Sequence, residues 1–155
     1  MNLEQIENEM KRTIALMMTH GSQLLMHREE VLPIAHLFKT DGKSEIVGLY
    51  FLHTEEDMNE VAEALKSKLS LGQYVGVLLL FNGSLSNPTS KPKTSDASIR
   101  SVLMVSYQTH MESEMYVLPY DVGVCGLPSF KKIEKMEPLP GNKFFELFPR
   151  PIQVD

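Results

Sequence analysis

At 155 residues the chain has the length of one domain, and a globular chain of that size buries roughly 68–70% of its unfolded surface, enough for a core without disulfides. Its composition, 43% hydrophobic and 23% charged, excludes a disordered or fibrous protein. The formal net charge of −5 and the lack of a basic run argue against nucleic acid as the default partner.

Cysteine content and the amino-terminal residues both bear on the compartment. Cys125 is the only cysteine, which excludes an internal disulfide and fits a reducing compartment. The segment MNLEQIENEMKR lacks the basic start and apolar core of a signal peptide, and no stretch approaches the roughly 20 apolar residues of a membrane span. We therefore expect a cytoplasmic protein that makes no membrane contact.

The first predicted element is a helix that begins with a capping box formed by Asn2 and Gln5. Its apolar residues recur at helical spacing: Leu3, Ile6, Met10, Ile14 and Met17. Gly21 provides a helix stop. We interpret the methionine-rich stripe as core, the alternative being an adaptable binding surface.

A hairpin follows, because the strand-like runs 31–39 and 44–52 flank Asp41-Gly42, the strongest short hairpin signal in a sequence. A two-residue turn at Asp41-Gly42 pairs residues whose numbers sum to 83. The resulting partners are Phe38 with Glu45, His36 with Val47, and Glu30 with His53. The register is therefore a testable prediction.

Thr54 predicts the start of a second helix, with acidic residues in its first turn and Gly72 after its end. The predicted buried stripe consists of Met58, Val61, Ala62, Leu65 and Leu69. The acidic residues Glu55, Glu56 and Asp57 raise the alternative of a metal site. The helix dipole alone explains their position, so we predict no metal there.

Three further strands complete the predicted sheet. Residues 74–81 are apolar on both alternating faces, which indicates a central strand covered on both sides. Residues 99–108 and 114–120 follow as strands joined by a short polar turn, and are therefore antiparallel. The sequence predicts an α+β fold in the order α-β-β-α-β-β-β, with a mixed or mainly antiparallel sheet of about five strands and two helices.

The segment 121–155 is rich in glycine and proline, which prevents long regular elements. Its aromatic residues favour burial, so we expect an irregular tail wrapped on the same single domain, 1–155, with a helical turn at 142–148. Two helices cannot cover every apolar strand face. The hypothesis is that the tail covers one face, or that two copies cover the remainder as a symmetric dimer.

The longest polar stretch, Asn82 to Arg100, lies between two strand-like runs. A connection of about 19 residues far exceeds the usual length and indicates either function or disorder. We interpret it as a variable contact surface for a protein partner. Lys91, Lys93 and Arg100 make it the candidate binding site, and the alternative is a regulatory contact with nucleic acid.

Sequence motifs for phosphate loops, zinc hydrolases, redox pairs and nucleophile elbows are missing, so we predict neither a cofactor nor a metal. The predicted register does bring Glu30 opposite His53, and a carboxylate beside a histidine suits acid–base or metal chemistry. Cys125 becomes a nucleophile only if a base such as His110 lies near it. A lone cysteine among apolar neighbours is otherwise a buried small side chain.

These observations favour a non-catalytic interaction module that associates with itself. The main alternative is a small hydrolytic or metal-dependent enzyme built on Glu30 and His53. The third is a regulatory protein that contacts nucleic acid through the 82–100 loop.

Overall fold

A computed structural model describes residues 2–49, 54–86, 99–138 and 143–148, with only the backbone described at 84–86, 99 and 100. The helices are α1 (Leu3–Met26) and α2 (Glu55–Leu69). The strands are β1 (Ile34–Lys39), β2 (Ser44–Gly48), β3 (Tyr74–Ser86), β4 (Ile99–Thr109), β5 (Ser113–Val122), β6 (Pro128–Phe130) and β7 (Glu134–Met136). One 3-10 turn follows at Lys143–Phe145.

The strands form one antiparallel sheet in the order β2-β1-β3-β4-β5-β6, and β7 also pairs with β5. This confirms the predicted α+β class, the order of its first elements and the antiparallel pairing of β4 with β5. Within the described residues the sheet has seven strands, whereas about five were predicted. Both additional strands are three residues long and lie in the glycine- and proline-rich segment, where the sequence predicted no long regular element.

Helix α1 begins as predicted, since Asn2 and Gln5 form the capping box, but it continues five residues beyond Gly21. Gly21 is buried inside the helix against Leu103 of β4. A Cβ atom at Gly21 would lie 3.2 Å from the Leu103 side chain. The glycine therefore permits close packing of the helix on the sheet and does not end the helix.

The actual end of α1 is a Schellman motif without glycine. Arg28 adopts the left-handed conformation, with φ of 59°. The Glu29 N–H donates to the Leu24 carbonyl at 2.8 Å, and the Arg28 N–H donates to the Leu25 carbonyl at 3.0 Å. An arginine thus occupies the position where glycine is usual, so no glycine signal marks this helix end.

Helix α2 begins at the predicted cap, where the Thr54 hydroxyl accepts the N–H of Asp57 at 3.0 Å. Of the predicted stripe, Ala62, Leu65 and Leu69 are buried, Val61 is partly buried, and Met58 is 38% exposed. The helix ends at Leu69, three residues before Gly72, whose φ of 77° belongs to the following turn.

The predicted hairpin exists, but its register is wrong by one residue. The turn holds three residues: the Lys39 N–H donates to the Lys43 carbonyl at 2.8 Å, and the Gly42 N–H donates to the Lys39 carbonyl at 3.1 Å. A two-residue type I′ turn requires positive φ at both central positions, and of Asp41 and Gly42 only the glycine has it. Partners therefore sum to 82, and His36 pairs with Ile46.

Two separate cores lie on the two faces of the sheet. On one face α1 packs against β3, β4 and β5 with Ile6, Met10, Met17, Leu78, Leu103, Tyr107 and Leu118. On the other face α2 and the tail pack against Ala35, Leu37, Val77 and Leu79 with Leu65, Leu69, Phe144, Leu147 and Phe148. In a smaller cluster, Phe145 packs against Val102, Met115 and Val117. The predicted burial of the aromatic tail is thereby confirmed.

The polar stretch 82–100 is strand at both ends. Residues 82–86 continue β3 and pair with residues 99–103 of β4, because cross-strand pairing outweighs their polar composition. Residues 87–98, which include Lys91 and Lys93, lie outside the described residues. Neither helix of the described chain has the length and apolarity that crossing a bilayer requires.

Candidate interaction surface

The strand β2 forms one edge of the sheet, and no strand of the described chain pairs with its outer side. The bonds that flank β2, from Lys39 to Lys43 and from Leu49 to Pro33, show that odd-numbered residues bond to β1. Antiparallel ladders alternate, so the N–H and C=O groups of Ser44, Ile46 and Gly48 point outward. This outer side of β2, called the β2 edge below, is a template for another strand.

An apolar side chain stands on the β2 edge. Ile46 is 66% exposed, although isoleucine is among the residues most often buried. Its partner His36 shares a face with Ile34 and Phe38, which belong to the α1 core. Because α1 packs mainly on β3 and β4, Ile46 at the β2 end of this face stays exposed.

His36 lies next to Ile46 on the same face and is half-buried. Its ring stacks on Phe38 with centroids 4.5 Å apart, and no group of the described chain bonds to its buried Nε2 atom. Burial lowers the pKa of His36, which favours the neutral ring. The end of the sheet thus presents an uncharged, largely apolar surface.

The opposite face of the same end carries a polar network around Glu45. Its carboxylate accepts from the Tyr74 hydroxyl and pairs with Lys68 at 3.3 Å and Lys39 at 3.8 Å. The hydrogen bond from Tyr74 lowers the pKa of Glu45, and the same bond raises the pKa of Tyr74 to about 12. The charge of Glu45 is therefore engaged within its own chain.

The other edge of the sheet has three features that hinder pairing with a further strand: short strands, a proline and several lysines. The strands β6 and β7 have three residues each and together occupy the outer side of β5. Pro128 opens β6, and the exposed Lys131, Lys132 and Lys135 follow along this edge. Short strands, prolines and lysines commonly protect a sheet edge from pairing with another strand. The strand β2 contains no proline and no lysine.

The predicted Glu30 and His53 pair is not brought together by any described contact. Glu30 is exposed and precedes β1, and His53 lies outside the described residues. The register that placed them opposite each other is off by one residue. The pairing therefore stays a prediction without its original geometric reason.

The predicted binding residues of the long polar stretch are divided. Arg100 lies in β4, where its backbone pairs with Leu85. Lys91 and Lys93 lie outside the described residues, so the contact surface that they were predicted to form remains a prediction.

Cys125 is exposed, contrary to the expectation of a buried thiol, because it sits in the tight turn between β5 and β6. Arg28 donates to its carbonyl at 2.6 Å. His110 packs on Phe148 at the other end of β5, a strand of ten residues or roughly 34 Å. His110 therefore cannot serve as the base for Cys125.

Acidic side chains line two shallow clefts of the described chain. One cleft runs along α2 beside Glu55, Glu56, Glu60 and Glu63, and the other lies between Glu112, Glu114 and Lys135. Within the described chain no three histidine, cysteine or acidic residues are placed to hold a metal.

Ile46 is the residue of this surface that the sequence analysis missed. The alternation Ser44-Glu45-Ile46-Val47-Gly48 does separate Ile46 from Glu45 and Val47, so it places Ile46 on the other face. Ile46 could be recognised as exposed on an edge only once the strand order was known, because the strand order makes β2 an edge.

No protein-family model, curated protein or solved structure matches this chain.

Proposed function

We propose that this protein is a small non-catalytic interaction module that associates with itself, and that the β1–β2 end of the sheet is its contact surface. The exposed Ile46 on an unprotected edge strand carries the proposal. Burial of an apolar side chain and satisfaction of outward backbone groups both favour a contact there.

The two faces of this end support the same conclusion. Beside Ile46, His36 is held neutral by burial, so no charge opposes an apolar contact. Behind it, Lys39 and Lys68 neutralise Glu45. The surface therefore has little charge to desolvate when a partner covers it.

The test is sedimentation equilibrium of the purified protein from about 1 µM to about 200 µM, a range that detects micromolar association. We expect a concentration-dependent dimer. The variant Ile46→Lys should raise the dissociation constant at least about tenfold, because it places a charge in the contact.

Leu16→Lys is the matched control. Leu16 on α1 is also 66% exposed but lies on the outer side of that helix, away from the sheet. It should leave the dissociation constant unchanged. A wild-type protein that stays monomeric over the whole range contradicts the proposal, as does an equal effect of the two substitutions.

A further inference from the structure

We infer that the partner of the β2 edge is the β2 edge of a second copy, paired antiparallel about a two-fold axis that passes beside Ile46. This inference rests on the proposed self-association and adds its geometry. One continuous sheet would then run through both copies, with each chain contributing its seven strands.

The outward backbone groups determine which registers are available. With the axis at Ile46, this residue pairs with its own counterpart, and Ser44 pairs with Gly48 of the second copy. These are the three residues of β2 whose N–H and C=O groups face outward. Each such pair exchanges two hydrogen bonds, so all six outward groups of each edge are satisfied.

Repulsion between carboxylates favours this register over the one in which the two-fold axis passes beside Glu45. Moving the axis to Glu45 places the two Glu45 residues directly opposite each other, and like charges in facing positions destabilise a strand pair. With the axis at Ile46, Glu45 faces Val47 of the second copy. The two carboxylates are then diagonal neighbours, and each is already paired with Lys39 and Lys68 of its own chain.

Overlap and side-chain packing select the same register. An axis at Ile46 lets all five residues of β2 pair, whereas an axis at Val47 leaves Ser44 beyond the paired strands. The two Ile46 side chains then meet on the same face as both His36 rings. Burial of the exposed isoleucine is the apolar part of the contact.

A second copy suits this edge better than an unrelated strand. The pattern Ser44-Glu45-Ile46-Val47-Gly48 is complementary to itself when reversed: small residues meet at both ends, the carboxylate meets an apolar side chain, and isoleucine meets isoleucine. An isologous contact uses one patch twice, so self-complementarity is the property that it requires.

Single-cysteine crosslinking tests the register. In a Cys125→Ser background, which removes the exposed native thiol, Ile46→Cys places two sulfhydryl groups on facing residues about 5.5 Å apart at their Cα atoms. That separation suits a disulfide. Oxidation with diamide should therefore convert most of this variant to a covalent dimer.

Ser44→Cys in the same background is the matched control. Ser44 lies on the same strand and the same face and is also exposed. In the inferred register its counterpart is four residues further along the strand, about 14 Å away, so no disulfide should form. Equal crosslinking of the two variants overturns the inference.

Amide exchange in the unmodified protein provides an independent readout. At concentrations where the dimer dominates, exchange at Ser44, Ile46 and Gly48 should slow at least about tenfold relative to dilute protein. Glu45 and Val47, which already bond to β1, should change little. A dimer that shows neither this alternation nor the Ile46→Cys crosslink refutes the β2 pairing but leaves self-association intact, whereas a monomer refutes both.

Discussion

The side-chain amide of Gln108 holds the backbone of Leu147 and so fastens the tail to β4. The Leu147 N–H donates to Gln108 Oε1 at 2.9 Å, and Gln108 Nε2 donates to the Phe144 carbonyl at 2.6 Å and to the Ser106 hydroxyl at 2.9 Å. Gln108 is only 2% exposed. Polar pairing with the tail therefore accounts for a buried amide between two apolar clusters.

We expect Gln108→Met to lower the free energy of unfolding by about 1–3 kcal/mol, because the buried Leu147 N–H loses its acceptor while the side-chain volume is kept. Urea titration followed by circular dichroism measures the change. Gln23→Met, on the exposed face of α1, should stay within about 0.5 kcal/mol of wild type. Equal losses in the two variants would contradict the role assigned to Gln108.

We expect Gly76→Ala to destabilise the protein by about 1–3 kcal/mol through overpacking. A Cβ atom at Gly76 would lie 2.5 Å from Met10 Cε and 2.6 Å from the Gln108 carbonyl oxygen, and the backbone oxygen cannot move aside. Gly83→Ala on the same strand meets Met104 at an ordinary 3.6 Å and is the control. Its urea midpoint should exceed that of Gly76→Ala.

We expect Tyr74→Phe to change the pH dependence of stability in two windows. Glu45 has a lowered pKa, so its contribution is present above about 4.3, the ordinary glutamate value, and is lost as pH falls through the lower folded value. Tyr74 has a pKa raised to about 12, so its contribution is present below about 10 and is lost as pH rises towards 12.

The urea midpoints of wild type and Tyr74→Phe should therefore differ most at pH values between about 4.3 and about 10. They should converge at lower and at higher pH. Tyr120→Phe is the control, because the Tyr120 hydroxyl donates to the neutral amide of Asn82 at 2.7 Å. Its difference from wild type should not vary through the acid window. A Tyr74→Phe difference that is constant with pH would show that the bond to Glu45 does not couple to protonation.

We expect Arg28→Gly to be more stable than Arg28→Ala by about 1 kcal/mol, because glycine adopts the left-handed φ of 59° without the steric cost of a Cβ atom. Both variants lose the bond from the guanidinium to the Cys125 carbonyl, so the comparison isolates the backbone. Urea titration measures the difference. Equal stability would mean that the conformation at this position carries no strain.

Local sequence signals predicted the element types well and the boundaries unevenly. Asn2 and Thr54 start helices as predicted, because a cap involves only residues within one turn. The helix end predicted at Gly21 was wrong, because this glycine allows the close approach of Leu103, a residue distant in sequence. The end of α1 carries no sequence signal at all, as the left-handed residue there is Arg28.

The candidate surface depended on relationships that a single sequence does not contain. Asp41-Gly42 indicates a hairpin, but the register depends on whether both residues or only the glycine adopt positive φ. Because only Gly42 does, the strand partner of His36 is Ile46 and not the predicted Val47. That β2 is an edge follows from the strand order. Ile46 therefore became a candidate only once the topology was known.

The coverage of the sheet by segments far apart in the chain has a consequence for biosynthesis. Val77 and Leu79 of β3 leave the ribosome some 65 residues before Phe144 and Leu147, the residues that share their core. Until those residues emerge, only α2 is available to cover this face, and the part of it that Phe144 and Leu147 bury stays open to water. This core therefore becomes complete only after residue 148 has emerged, which is later than the synthesis of the last strand.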